Sequence, residues 1–481
     1  MSAAPVGDDV RPNRSLVDLT LRVGLPVATT AILLLLAVTR ATRQPVNADT
    51  YFHIRLGREF ISGWVPWDPG TVTSYATRDW LPTQWLSQVA IGYADDWFGL
   101  RGVVALSAVA MIFYAVVLVR TGRQESSLLV ASSLTALAVF ASLNGLSARP
   151  QVLSYALGAI TVAAWLRTDR DGRIRWWLIG LIWLWAMLHG MWPVGISICA
   201  AGALGHVLDG GPAWRTRLRV LLLPVGAALA AALTPAGPGL YSAVLTVGSR
   251  ASYFNEWGPP DFTTSTTAVM GLMLAATVAL RLRGPRDTWT ADLILLGVAA
   301  WALYSGRTTP VCAAMLTSLL ARQLERRLRT ATPARRPESA ALVGAGALTV
   351  VVAVLAAWLG PDPVPPSPPR LDDALAELPA GTPVFSDLQF GGYLLWKYPQ
   401  LDVVAHGYAD MYTDAEFDDV VDVLGVEPGW DEILAEGGVD YAVVLDDSAI
   451  GYALEQRDDW ESVVSTDGIR LMHAVGSSLA P

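Results

Sequence analysis

Groups of arginine alternate with long apolar runs over the first 361 residues, and that alternation restricts the chain to helices that cross a bilayer. About 20 apolar residues cover a hydrocarbon core of about 30 Å, and shorter spans occur inside bundles. The apolar runs lie near residues 20–40, 100–119, 127–145, 151–166, 176–188, 191–207, 219–235, 266–281, 290–305, 308–321 and 341–359. Between them stand Arg11/Arg14/Arg22, Arg120/Arg123, Arg167/Arg170/Arg173/Arg175, Arg215/Arg217/Arg219, Arg281/Arg283/Arg286 and the arginines from Arg322 to Arg336. Basic residues collect in short cytoplasmic loops, so these groups belong inside, with the N-terminus. Every second connection then faces outward, and about eleven spans put the C-terminal part outside the plasma membrane as well. With 53 % hydrophobic and 16 % charged residues and a mean hydropathy of +0.40, the composition excludes a soluble enzyme.

The same parity resolves the run from Trp176 to Val207. One long helix there would place two arginine-rich loops on opposite sides, so the run is a hairpin that breaks at "LHGMWP". The stretch from Trp176 to Leu188 reaches only about 20 Å at 1.5 Å per residue, which leaves His189 below the outer surface. Residues 1–18 form a cytoplasmic tail and 19–360 the membrane domain, with a first outer loop at 41–98 and a second at 236–265. The first outer loop carries surface helices near 50–62 and 83–97, with tryptophans suited to the interface. A proline-rich linker, 361–371, leads to an acidic domain at 372–481, whose short β runs between helical stretches mark a small α/β fold. Residues 362–481 hold 24 acidic residues against Arg370, Lys397, Arg457 and Arg470. Cys199 and Cys312 lie in apolar runs and read as small hydrophobes, and the first run reads as a retained span rather than a signal peptide.

The outer side gathers the polar residues that can carry chemistry: Asp49, His53, Arg55, Arg58, Asp79, Arg149, His189, Glu256, Asp261 and Arg307. Asp49 in "NADTYFH" reads either as a helix N-cap or as a general base just above the bilayer. Arg149 in "SARPQ" and Arg307 in "SGRTTP" break the positive-inside pattern; each either snorkels to headgroups or binds a phosphate through its planar fork. His189 is either a packing residue or a ligand-binding one, and Glu256 in "FNEWGPP" sits beside residues that fix a loop. No Walker A loop, HExxH, paired CxxC or GxSxG is present.

Taken in order, these segments resemble a family. "ADTYFHIRLGREFISGWVPWDPGTVTSYATRDWLPTQWLSQ", Ala48 to Gln88, resembles the first outer loop of GT-C-type membrane glycosyltransferases and their uncharacterised bacterial relatives. "ARPQ", "LWAMLHG" and "NEWGPP" look like later landmarks, and "VFSDLQFGGYLLWKYP" with "HGYADMY" looks like the C-terminal domain. The resemblance implies a mainly α, polytopic GT-C bundle with a small extracytoplasmic α/β domain. It also implies a glycosyltransferase that moves a hexosyl or pentosyl group from a polyprenyl-phosphate-linked donor to an envelope glycan, lipid or protein acceptor. Asp49 then corresponds to the catalytic carboxylate, with His53, Arg149, His189, Glu256 and Arg307 as substrate-binding residues. Ala48 stands where many such enzymes have a second acid, and "HGY" (His406 to Tyr408) where relatives often read "DGR". A divalent metal is compatible with the sequence but not required by it, and no nucleic-acid partner is implied. Two other readings stand beside it: a non-catalytic envelope assembly protein on the same scaffold, whose acidic domain binds a protein partner, and a lipid or solute transporter. Spans nearly free of charge and the lack of paired broken helices count against transport.

Overall fold

The computed structural model describes residues 48–210, 218–249, 253, 255–329, 336–360 and 369–475, with isolated positions between 24 and 39. The N-terminal tail, most of the first apolar run and residues 361–368 of the linker lie outside the described residues.

The first outer loop opens with α1 (Ala48–Ser62), and a turn closed by Asp68 N–H on the Val65 carbonyl follows. Next comes α2 (Trp85–Glu125), one helix by hydrogen bonding but bent at Gly99, whose φ of 61° and ψ of −162° suit glycine. The bend separates a surface segment from the membrane segment at the place where the sequence divides them.

The bundle continues with α3 (Leu128–Ala141), α4 (Gln151–Asp171), α5 (Trp177–Leu188), α6 (Trp192–Leu208) and α7 (Leu222–Ala232). After the long connection at 236–264, which contains α8 (Leu240–Ser249), come α9 (Ser265–Arg283), α10 (Trp289–Tyr304), α11 (Thr309–Leu328) and α12 (Arg336–Leu359). A helix thus stands at every expected apolar run among the described residues, and α5 and α6 form the expected hairpin. Two of these helices, α2 and α9, are long and apolar enough to cross a membrane by length and composition. The bundle buries tryptophans such as Trp165, Trp185 and Trp192, while Leu229, Leu272, Leu296 and Leu348 are each more than half exposed. An apolar interior inside an apolar exterior is the surface of a protein whose solvent is lipid. At the arginine-rich end, Arg322 bridges Asp169 (2.6 Å) and Asp287 (3.0 Å), and Arg326 also reaches Asp287 (2.7 Å). Glu125 pairs with Arg170 there, so charges that cannot be left bare near hydrocarbon are matched.

The C-terminal part adds α13 (Pro369–Ala376), β1 (Pro383–Ser386), α14 (Leu388–Lys397), β2 (Asp402–Val403), α15 (Asp414–Gly425), α16 (Trp430–Glu436), β3 (Tyr441–Leu445), α17 (Ala449–Glu455), β4 (Trp460–Thr466) and β5 (Ile469–Ala474). The sheet order is β2-β1-β3-β5-β4: β1 runs parallel to β2 and β3, and β5 runs antiparallel to β3 and β4. The acidic run "DAEFDDVVDV" is α15, opened by a capping box between Thr413 and Glu416.

The hydrophobic core is divided unexpectedly. One cluster fills the bundle, and the other joins α1 and the start of α2 to the C-terminal sheet and helices. Tyr51 packs on Tyr393 and Trp396, with ring centroids 5.3 and 5.2 Å apart. Thr77 donates to Glu416 (2.5 Å), Trp396 to Asp95 (3.0 Å), and Thr73 to Asp402 (2.7 Å). The segment from α1 to the start of α2 is therefore packed as part of the C-terminal domain.

Candidate active site

Asp49 lies in the first turn of α1, where the partial positive charge of the helix N-terminus favours a carboxylate. Its side chain does not stay with its own helix. Oδ2 accepts from Arg149 Nη1 at 2.6 Å, across 100 residues of sequence. Thr50 donates to the Ala148 carbonyl at 3.1 Å, so α1 is pinned to the turn that carries Arg149. Arg149 Nε is held by Ser147 Oγ at 2.9 Å, and its side chain is only 13 % exposed. An arginine in this position is a fixed donor array rather than a snorkelling one.

Glu256 and Arg307 form a second pair at 2.5 Å, with the Arg307 guanidinium 4.5 Å over the Trp257 ring. The loop at Glu256 is held by Gly306 N–H on the Gly258 carbonyl, 2.9 Å. His189 ends α5 in an extended conformation, at the expected break between α5 and α6. Its Nδ1 accepts from Met191 N–H (3.3 Å) and lies 2.9 Å from Ser154 Oγ, which itself accepts from Trp185 Nε1 at 2.8 Å. Nδ1 is occupied as an acceptor, so the ring proton of His189 sits on Nε2. His53, one turn along α1 from Asp49, has Gln88 Nε2 at 3.3 Å from its Nδ1. Burial pushes His53 down to about 3; Asp49 raises it while Arg149 and Arg307 lower it, and the ring is neutral at ordinary pH.

These six residues come from five separate connections and meet in one place. The charges of Arg149 and Arg307 act on both histidines, and Glu256 acts on Arg149. Four other polar candidates of the sequence serve elsewhere. Arg55 holds Glu59 (2.9 Å) and the Leu395 carbonyl (3.2 Å), Arg58 clamps Asp95 (2.6 Å) and Asp96 (3.0 Å), Asp261 caps its own turn, and Asp79 lines a separate pocket. Ser154 and Gln88 orient the two histidines without a sequence signal, since a serine or glutamine in an apolar helix looks unremarkable.

Tyr408 was marked in the sequence only as part of "HGY", where relatives often read "DGR", with no role in a site. It comes from the C-terminal domain and packs on Phe52 (5.0 Å between centroids), Trp80 (5.3 Å) and His53 (6.5 Å), while Gly407 lies against Asp49. The clue available was the glycine pair Gly391–Gly392: added Cβ atoms there would strike the carbonyls of Ala405 and Ala48, so side chains are barred where the two parts touch.

Below this polar cluster runs a groove of about 280 Å³, lined almost wholly by apolar side chains of α2 and the start of α4, such as Val103, Leu106, Ala110, Phe113 and Leu153. Arg149 is its one charged residue. Among the described residues no group of three or more His, Cys, Asp or Glu is placed to hold a metal ion.

An apolar groove that ends at an arginine bonded to a loop carboxylate invites comparison with known folds. No family model matches the sequence, and no curated protein matches it. Solved structures do match. The archaeal oligosaccharyltransferase AglB from Archaeoglobus fulgidus, in complex with an inhibitory peptide and a dolichol-phosphate, superposes with a TM-score of 0.55 at 12 % identity, over 87 % of this chain and 69 % of its own. The Archaeoglobus fulgidus enzyme tethered to an acceptor peptide gives 0.51 at 13 %, over 89 % and 70 %. ArnT from Cupriavidus metallidurans, bound to undecaprenyl phosphate, gives 0.51 at 15 %, over 96 % of this chain and 99 % of its own. The chain has the GT-C glycosyltransferase fold. At these identities the likeness is one of fold, and the GT-C scaffold accounts for the mainly helical body with its small sheet.

Proposed function

We propose that this GT-C protein is a membrane glycosyltransferase that takes a sugar from a polyprenyl-phosphate-linked donor and transfers it to an envelope acceptor on the outer face. The observation that carries the reading is the double position of Arg149, which lines the apolar groove and holds Asp49. A donor whose tail lay in the groove would bring its phosphate to that guanidinium. Nε and Nη1 of Arg149 are engaged by Ser147 and Asp49, and Nη2 remains for a phosphate oxygen. The fold neighbours support the assignment, one being bound to undecaprenyl phosphate and another to a dolichol-phosphate.

In this reaction Asp49 takes the proton of the acceptor hydroxyl as that oxygen bonds to the anomeric carbon. The bond from that carbon to the phosphate oxygen breaks, and the lipid phosphate leaves with the electron pair. Arg149, with Arg307 nearby, stabilises the negative charge that accumulates on it. His53 and His189, both carrying a proton on Nε2, offer donors to sugar or phosphate oxygens, and Glu256 fixes Arg307. The sidedness of the loops, the count of eleven spans and the extracytoplasmic C-terminal domain belong to this proposal.

The test is transfer by the purified full chain in liposomes, with a panel of polyprenyl-phosphate sugars. Asp49→Asn is expected to lower turnover roughly 10²- to 10⁴-fold while undecaprenyl phosphate still binds. Unchanged transfer in that variant would remove Asp49 from the mechanism.

A further inference from the structure

The groove beside Arg149 has a definite length, and that length bears on which part of a donor lipid is recognised. Val103, Leu106, Ala110 and Phe113 follow one another at three- and four-residue spacing, so one face of α2 forms its long wall. The end at Arg149 is enclosed: Val103 is 1 % exposed and shares a core cluster with Ala148. The other end is open, since Val109 and Phe113 are 36 % and 43 % exposed on the apolar exterior of the bundle. Val117, the next position of the stripe, is buried in the bundle core, so the groove stops there. Resting on the transferase reading above, we infer that the groove takes the phosphate with the first two or three isoprene units of the donor, and that the rest of the tail leaves past Phe113 into the bilayer.

Two measures give the count. Val103 and Phe113 stand ten residues apart, about 15 Å along the helix. An isoprene unit adds four chain bonds, about 5 Å when extended at roughly 1.2 Å per bond, so three units cover that stretch. By volume, a cavity of roughly 150 Å³ admits a ring of six carbons, about 25 Å³ per carbon. The groove, at about 280 Å³, then holds about eleven carbons, or two units of five.

Charge and width choose the occupant. Apolar walls that end at a guanidinium suit a phosphate on an apolar chain, and leave a free sugar or a peptide without partners. A volume for about eleven carbons spread over about 15 Å has the cross-section of a single chain, which leaves no place for the second chain of a phospholipid. Ala110 sets the specificity: it is the smallest side chain of the stripe and lies midway, where a larger one would meet the second unit.

The experiment is displacement of labelled undecaprenyl phosphate from the full chain in nanodiscs. The competitors are prenyl, geranyl, farnesyl and geranylgeranyl phosphates, which carry one to four units, each expressed as its mole fraction in the bilayer. Farnesyl, geranylgeranyl and undecaprenyl phosphates are expected to agree within about twofold, because a longer tail only exchanges lipid for lipid. Prenyl phosphate, which leaves most of the groove's wall uncontacted, is expected to bind about tenfold more weakly. In Ala110→Phe the three longer lipids are expected to fall to the affinity of prenyl phosphate, which is itself unchanged and shows that the site at Arg149 is folded. The series on the unsubstituted chain decides by itself if that variant does not fold. Affinity that keeps rising beyond four units overturns the inference, as does equal affinity at one unit and at eleven, or a length dependence that survives Ala110→Phe. Phosphatidic acid displacing the label as well as farnesyl phosphate overturns it in favour of an ordinary phospholipid. If undecaprenyl phosphate does not bind at all, the donor reading itself fails and takes the inference with it, a result distinct from a wrong count.

Discussion

Arg149 concentrates the site's dependence on geometry at the scale of single residues. A lysine there keeps the charge but loses the fork that meets Ser147 and Asp49 together. Arg149→Lys is therefore expected to weaken undecaprenyl phosphate about tenfold, and Arg149→Gln more, as measured by equilibrium binding in detergent. Equal affinity in all three proteins would detach the guanidinium from the lipid phosphate. Two buried histidines set a different observable. Burial pushes both His53 and His406 down to about 3, well below the ordinary imidazole value. The unfolded chain takes up these protons at about 6.5, and the folded chain only near 3. Stability is complete above about 6.5 and declines as pH falls from there towards 3. Melting temperature followed over that window should fall, and His406→Gln should flatten the slope; an unaltered slope would mean that His406 is charged in the fold.

Helices and turns show why part of the molecule was legible and part was not. The bend in α2 was readable because an apolar run begins just after a surface helix, and Gly99 supplies the backbone conformation that joins them. No atom lies within 4 Å of a Cβ added there, so Gly99→Ala acts through backbone strain alone, of about 1–3 kcal/mol. A drop of that size in thermal or denaturant stability, with the fold retained, is the expected result. The α5–α6 hairpin was readable from arginine parity and the short reach of α5. Clustering of Asp49, Arg149, His189, Glu256 and Arg307 was readable as a set, because the same parity put all five on one side. Their pairing was not, because ion pairs such as Asp49 with Arg149 depend on how α1 docks on the turn before α4. Still less legible was the C-terminal contribution: "FGG" and "HGY" stand out only as parts of the family resemblance, and only packing reveals that Gly391 and Gly392 are places of close approach. Gly391→Ala would drive a methyl group into the Ala405 carbonyl and His406, two residues before Tyr408.

At the scale of the whole molecule, the second hydrophobic core decides how the two parts depend on each other. Tyr51, Phe52, Ile54 and Leu56 on α1 are buried with Phe390, Tyr393 and Leu394 of the C-terminal domain, so the helix that carries Asp49 loses one of its two apolar seats without that domain, the other being α2. Uncovering a single large side chain of this kind costs about 1.5–3 kcal/mol, and several would be uncovered at once. Removing residues 369–481 is expected to leave a bundle that still inserts, since the other core is confined to the helices. Transfer is expected to be lost through displacement of α1, as severely as in Asp49→Asn. The assembly-protein alternative differs in one of the two predictions, with Asp49→Asn silent and the truncation again inactive in vivo. Liposome transfer by both variants, with proteolysis after Arg55 or Arg58 as a readout of whether α1 stays folded, separates the two. Loss in both, with α1 cleaved only in the truncation, fits a catalytic carboxylate held in place by the outer domain. Transfer retained by the truncation would show instead that α1 keeps its position by its packing on α2 and its bonds to Ala148 and Arg149.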